Sequence, residues 1–257
     1  MAQPLYVETL VACDADRLWH LTQAPGEHPR WDLRFSAIRP TERDAQGHQH
    51  FTYSLALPHP RAAVLTVTGT GVSVGERRDA QGRGTSALRF RPHGRLSPLG
   101  EGSGYWRYVP TAHGVRFLTG YDYAPGWGRL GAVLDPLVVR PAVGWATAWS
   151  FDRLRLWAQD GLDPAATRDR ALRDVAARAA VLAGAGVLAR HGVRARHGVR
   201  GRRGGAVALG LAAAALSRPV GAGTPSARRC LRRPPDRGSA TSPTSLATVP
   251  APAGAPA

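Results

Sequence analysis

Every large ring in this chain of 257 residues lies in its first 157 positions. All seven Trp, all six Tyr and all five Phe fall between Tyr6 and Trp157, and nothing aromatic follows. Rings dominate the burial that builds a core. The folded domain is therefore expected over about 1–162. An Ala/Arg-rich helical extension follows over 163–217, and a Pro/Ala/Ser-rich tail over 218–257. The tail's composition predicts disorder.

The charge divides at the same place. The net charge is +16; residues 1–160 hold 18 Arg and 14 acids, residues 161–257 hold 16 Arg and 4 acids. A basic extension of this kind suits weak, nonspecific contact with nucleic acid or an anionic surface. The chain also has no Lys, no Asn and one Ile (Ile38). A GC-rich genome gives that bias without selection for binding, so both readings stand. The ARHGVR repeat (189–194 and 195–200) has no ring among its arginines. Base stacking is absent there, and phosphate contact would be salt-sensitive and sequence-independent.

Cys13 and Cys230 are far apart and lack a CxxC partner, so neither a disulfide framework nor a thiolate metal site is expected. MAQPLYVETL lacks a basic segment followed by an apolar run. The best apolar runs, Ala179–Ala189 and Gly205–Leu216, have 11 and 12 residues. Both are short of the ~20 that span a bilayer. A cytoplasmic protein without a cofactor is the expectation.

Along the chain, Leu5 to Val11 alternates as a strand. Asp14 offers an N-cap to a short helix, DADRLWHLTQ, which Pro25, Gly26 and Pro29 end. From Asp32 onward the period is two. Turn chemistry (DAQGH, LPHPR, RDAQGRG, PHGRLSPLG, PTAHG) separates about six strands, as in an antiparallel meander. A helix then begins near Gly128, is interrupted by Pro136 and Pro141, and ends at Gly161.

The segments YVETLVACDADRLW, HPRWDLRF, GVRFLTGYDY and the Trp-rich GWATAWSFDRLRLWAQDG, in this order, resemble the START-like helix-grip superfamily (SRPBCC, polyketide cyclase-like) over about 1–160. The resemblance implies an α+β helix-grip fold. A curved antiparallel sheet of about seven strands wraps a long C-terminal helix, with a hydrophobic cavity between them. Members include binders, lipid-transfer proteins, cyclases and oxygenase subunits, so the fold does not fix an activity. The expected function is binding of a small hydrophobic or aromatic ligand. A cyclase/dehydratase-like enzyme, or an adaptor using its basic tail, is the alternative. The residues nominated for the cavity are Trp31, Phe35, Tyr53, Phe90, Trp106, Phe117, Tyr121, Tyr123, Leu134, Trp145 and Trp149.

On a helical wheel the stretch from Gly144 carries two apolar stripes. Trp145, Trp149 and Leu156 form one; Phe151, Leu154 and Ala158 form the other. The Trp stripe is expected to face the sheet. The Phe151 stripe then needs another cover, which a helix starting at Asp163–Pro164 could supply; the alternatives for that helix are homodimer formation and contact with a membrane surface. Asp152 sits on the Trp stripe. It reads either as a flank salt bridge or as a weak candidate for acid/base chemistry.

Three motif matches lack the right context. GWGRLG (Gly126 to Gly131) fits GxGxxG but follows an antiparallel strand. GVSVG (Gly71 to Gly75) fits GxSxG, yet Ser73 lies inside a strand. His48 and His50 share a strand face without a third metal ligand. No metal site is expected.

Overall fold

Short turns between Val/Thr/aromatic runs leave the chain one economical arrangement, a meander in which neighbours in sequence are neighbours in space. The computed structural model describes residues 4–58, 64–77, 82–194 and 199–252. It has β1 (Leu5–Val11), α1 (Ala15–Gln23), α2 (His28–Trp31), β2 (Ala37–Arg43), β3 (Gln49–Pro58), β4 (Val64–Arg77), β5 (Gly84–His93), β6 (Leu99–Thr111) and β7 (Gly114–Pro125). Then come α3 (Gly128–Leu134), a π-turn (Asp135–Val139), α4 (Arg140–Asp160), α5 (Pro164–Arg194) and α6 (Val199–Ser217). Parts of the LPHPR and RDAQGRG turns and of the second ARHGVR copy lie outside the described residues.

The sheet has seven strands, all antiparallel, in the order β1-β7-β6-β5-β4-β3-β2. Pro136 falls in the π-turn and Pro141 in the first turn of α4, the two places where a missing N–H is tolerated. Gly161, at φ 68°, caps α4 in the left-handed region.

The inner face of the sheet carries α4. Phe117 of β7 stacks on Phe151 of α4 at 4.6 Å between ring centroids, and Tyr121 bonds Thr147 of α4 at 2.7 Å. The orientation of α4 is thus opposite to the sequence expectation. The stripe with Phe151 and Leu154, both fully buried, meets the sheet, and the stripe with Trp145 and Asp152 looks away. Thr147 and Ser150 explain the reversal. Their hydroxyls satisfy inner groups, since Ser150 Oγ accepts from the Leu33 amide at 2.9 Å. An inner helix face can therefore hold them.

The chain forms two compact units, residues 1–164 with 226–257, and residues 165–225. The last segment of the chain thus belongs to the grip domain. Asp152 accepts from the Ser226 amide (2.8 Å) and from Arg229 (2.9 Å), and the Cys230 thiol meets the Ala148 carbonyl at 3.2 Å. Glu8 and Leu231 then exchange two backbone bonds of 2.9 Å on the free edge of β1. On the outer face Arg107 donates to the Gly238 carbonyl at 2.8 Å. Val249 packs there with Tyr6, Val72, Ala87, Tyr105 and Leu118, and Leu246 lies against this cluster. A strap therefore runs from α4 around the sheet edge to the outer face, where the composition predicted disorder. Backbone bonds, the Asp152 carboxylate, donors from the outer face such as Arg107 and two apolar anchors hold it.

In the second unit α5 and α6 run antiparallel; Arg178 donates to the Ala215 carbonyl at 2.6 Å. Among the described residues no helix is long and apolar enough to cross a membrane.

Candidate functional site

The inner face divides into a packed end and an open end. At the packed end His28, Trp31, Trp106, Tyr108, Phe117 and Phe151 touch ring to ring, with centroids 4.6–6.2 Å apart. Their polar atoms are satisfied within the protein. Trp31 donates to the Leu21 carbonyl at 2.9 Å, and the Tyr108 hydroxyl meets Thr22 and Gln23 at 2.6 and 2.9 Å. Three of the nominated residues, Trp31, Trp106 and Phe117, are therefore core.

At the open end Phe35, Phe51, Tyr53 and Phe90 are half-buried, beside the buried Tyr121 and Tyr123. Phe35 lies against Tyr53 at 5.6 Å, Tyr53 against Phe51 at 6.4 Å, and Phe90 packs with Tyr121, Tyr123 and Val139. Glycine makes this layer possible. A Cβ at Gly69 would sit 2.3 Å from the Tyr53 ring, and one at Gly71 2.3 Å from the Phe51 ring, so both rings lie flat across β4. Burial pushes the Tyr53 hydroxyl well above its ordinary pKa. It has no hydrogen-bond partner among the described residues. Tyr123 is engaged differently, donating to Asp135 at 2.7 Å beneath Arg140.

Between the two ends lies a charged group that the sequence reading passed over. Asp32, fully buried, accepts from Arg34 Nε at 2.9 Å and Nη2 at 2.6 Å, and meets His28 Nε2 at 3.0 Å. Burial alone would raise the Asp32 pKa; Arg34 and then His28 outweigh it and hold the carboxyl well below the usual range. Burial likewise lowers His28 and keeps it neutral, against the pull of Asp32. The Arg34 side chain is 21% exposed, and its guanidinium lies 5.5 Å from the Tyr121 ring and 5.7 Å from Phe35. With Nε and Nη2 fixed on Asp32, the guanidinium also interacts with the hydroxyl of buried Tyr121. The signal was present in WDLRF, two opposite charges spaced i, i+2 between Trp31 and Phe35.

The remaining nominations separate from this place. Leu134 is half-buried at the end of α3. Trp145 is 49% exposed, and its ring stacks at 6.4 Å on Trp149, which Arg153 covers from the other side. Neither Trp faces the inner sheet, which corrects the expectation. Asp152 is bound by Arg155 at 2.7 Å as well as by the strap, so its carboxylate is structural. His48 turns to Asp44 at 2.8 Å. GWGRLG shapes the entry to α3, with Trp127 and Gly128 both at φ 56°. Ser73 stays within β4. A cleft of about 690 Å³ runs along β2–β5, lined by Arg39, Thr52, Ser54, Thr68, Thr70 and His93 among others. Most of these side chains alternate away from Phe51 and Tyr53, so the cleft lies mainly on the polar outer face, bordered also by Tyr53 and Gly69, and is not the expected apolar cavity.

No protein-family model matches the chain. It is 41% identical over 163 residues to the "uncharacterized membrane protein YndG" of Bacillus subtilis strain 168. That match covers 63% of this chain and 59% of the relative, so the chain spans less than two thirds of the relative's length. Similar solved structures include a protein of Thermus thermophilus (14% identity, TM-score 0.44, 60% of this chain and 98% of that one). Others are the Zhui aromatase/cyclase of a Streptomyces species (17%, 0.38, 55% and 87%) and a STAR-related lipid transfer protein of Xanthomonas axonopodis (19%, 0.39, 53% and 77%). By its own strand order, and by the long helix that follows β7 and lies across the inner face, the domain has the START-like helix-grip fold.

Proposed function

We propose that the grip domain binds a small, mainly aromatic molecule that carries a carbonyl or carboxylate oxygen. The observation behind this reading is the Arg34 guanidinium, anchored on one side by buried Asp32 and lying beside buried Tyr121 and half-buried Phe35, which in turn packs on half-buried Tyr53. A guanidinium fixed among rings suits a planar acceptor group, and its preorganisation by Asp32 lowers the ordering cost of binding. The Tyr53 hydroxyl supplies a second donor. A cyclase-type reaction is the second reading, in which Arg34 and Tyr53 polarise a carbonyl and the bound molecule leaves changed.

Mass spectrometry of the purified protein under native conditions, followed by fluorescence titration with 2-naphthoate and 2-methylnaphthalene, tests the proposal. The acid should bind more tightly than the hydrocarbon. Arg34→Gln should abolish that preference, a loss of about 10- to 100-fold for a hydrogen bond to a charged group. Equal binding of both probes to wild type and variant would refute the role of Arg34. Recovery of an altered molecule after incubation would favour the enzyme.

A further inference from the structure

The two apolar runs of the C-terminal third, which have no role in the grip domain, come to lie side by side. Arg178 of α5 bonds the Ala215 carbonyl of α6, and Arg170 reaches the Gly223 carbonyl at 3.5 Å. The Arg178–Ala215 contact fits an antiparallel register in which residue 179 is level with 214 and residue 189 with 204. AAVLAGAGVLA of α5 then runs beside GGAVALGLAAA of α6, and neither holds a charge. In sequence Arg178 and Arg190 flank the α5 run, and Arg203 and Arg218 flank the α6 run.

This hairpin is inside out. Its buried positions include Ala185, Ala208 and Ala215, whereas Val187, Val207, Leu209 (73%) and Leu216 (68%) are exposed. Helices in water turn their leucines inward. Small residues at the seam with large apolar ones outside are what helices adopt when the medium itself is apolar. The band is about 16 Å long at 1.5 Å per residue, half of the ~30 Å hydrocarbon core. That is too short to span, but it suits a hairpin lying in the headgroup–acyl boundary, where apolar side chains sink ~5–10 Å.

Charge decides the partner. Residues 165–225 carry 11 Arg and 2 acids. A second copy of the chain would set like charges against one another. DNA would match the charge and leave the leucines in water. An anionic bilayer matches both. We propose that the α5–α6 hairpin docks the protein on the surface of an anionic membrane, its apolar band at the acyl boundary and its arginines on lipid phosphates.

Vesicle co-sedimentation of the full chain tests this. Vesicles of phosphatidylcholine with phosphatidylglycerol should capture the protein, and phosphatidylcholine alone should not. The exposed-site variant Leu209→Glu/Leu216→Glu should lower capture about tenfold or more while helix content by circular dichroism is retained. The neutral Leu209→Ser/Leu216→Ser, which adds no charge, should lower it as well. Arg190→Glu should weaken capture chiefly at low salt. Equal capture by both vesicle types, or capture unchanged by both Leu variants, overturns the proposal. So does an absence of capture, whether it is accompanied by DNA binding or by a dimer that the Leu variants dissolve.

Discussion

Asp152→Ala is the substitution that most directly tests how the strap is held. The carboxylate is fully buried and is shared by Arg155, Arg229 and the Ser226 amide at 2.7, 2.9 and 2.8 Å. Removing one partner of a buried charge cluster costs about 3–5 kcal/mol. Here both arginines retain contact with water, at 17% and 30% exposure, so the loss should fall at the lower end, about 3 kcal/mol. For a domain of this size that is a fall in Tm of about 6–12 °C. Asp152→Asn keeps an acceptor for the Ser226 amide and should fall less. The local readout is Cys230. It is buried against the Ala148 carbonyl, and burial pushes its thiol up to about 12, so disulfide reagents should label it slowly in the wild type. Asp152→Ala should speed that labelling while Cys13, whose thiol burial pushes to about 11, is unchanged. A Tm within about 2 °C of wild type, together with unaltered Cys230 labelling, would refute the idea that this carboxylate holds the strap.

Two further outcomes follow from the site. Phe151→Ala should cost about 3–5 kcal/mol, since the ring is closed in by Trp31 and Phe117, whereas Trp145→Ala, on the surface, should change stability by about 0.5 kcal/mol or less; urea unfolding separates them, and equal losses would restore the Trp stripe to the interior. Stability should also fall on acidification: burial lowers the His28 pKa, so the unfolded chain takes up protons that the folded chain refuses as pH drops below about 6.5, and Asp32, held below its ordinary value, adds the same sign near pH 4 and below; identical urea midpoints at pH 7.5 and 5.0 would contradict the neutral, buried assignment of His28.

The strands were legible because alternation and turn residues act locally. Phe51 and Tyr53 had to share a face, and DAQGH had to turn. The two stripes of α4 were legible for the same reason. Which stripe lies inside was not. A wheel gives angles between side chains, and the choice depended on Thr147 and Ser150 finding partners on Tyr121 and Leu33, far away in sequence. The strap was hidden because its apolar anchors are sparse, with Leu246 and Val249 set among Pro, Ser, Thr and Ala. Long-range backbone pairing such as Glu8 with Leu231 leaves no trace in composition. Asp32 and Arg34 were missed because opposite charges two residues apart usually face water.

The strap also governs when the domain can be completed during synthesis. Val249 covers Val72, Ala87 and Leu118, yet it leaves the ribosome 89 residues after Asp160 ends the last inner helix. At about 5–20 residues per second that is roughly 5–20 s. Throughout that interval the nascent sheet has its inner helix but an uncovered outer face and an unpaired β1 edge. The residues made in between are the α5–α6 hairpin, which is thus an insertion within a discontinuous domain. A chaperone or a neighbouring nascent chain meets the protein in this half-covered state, so errors of assembly should concentrate on the outer face of β4–β7.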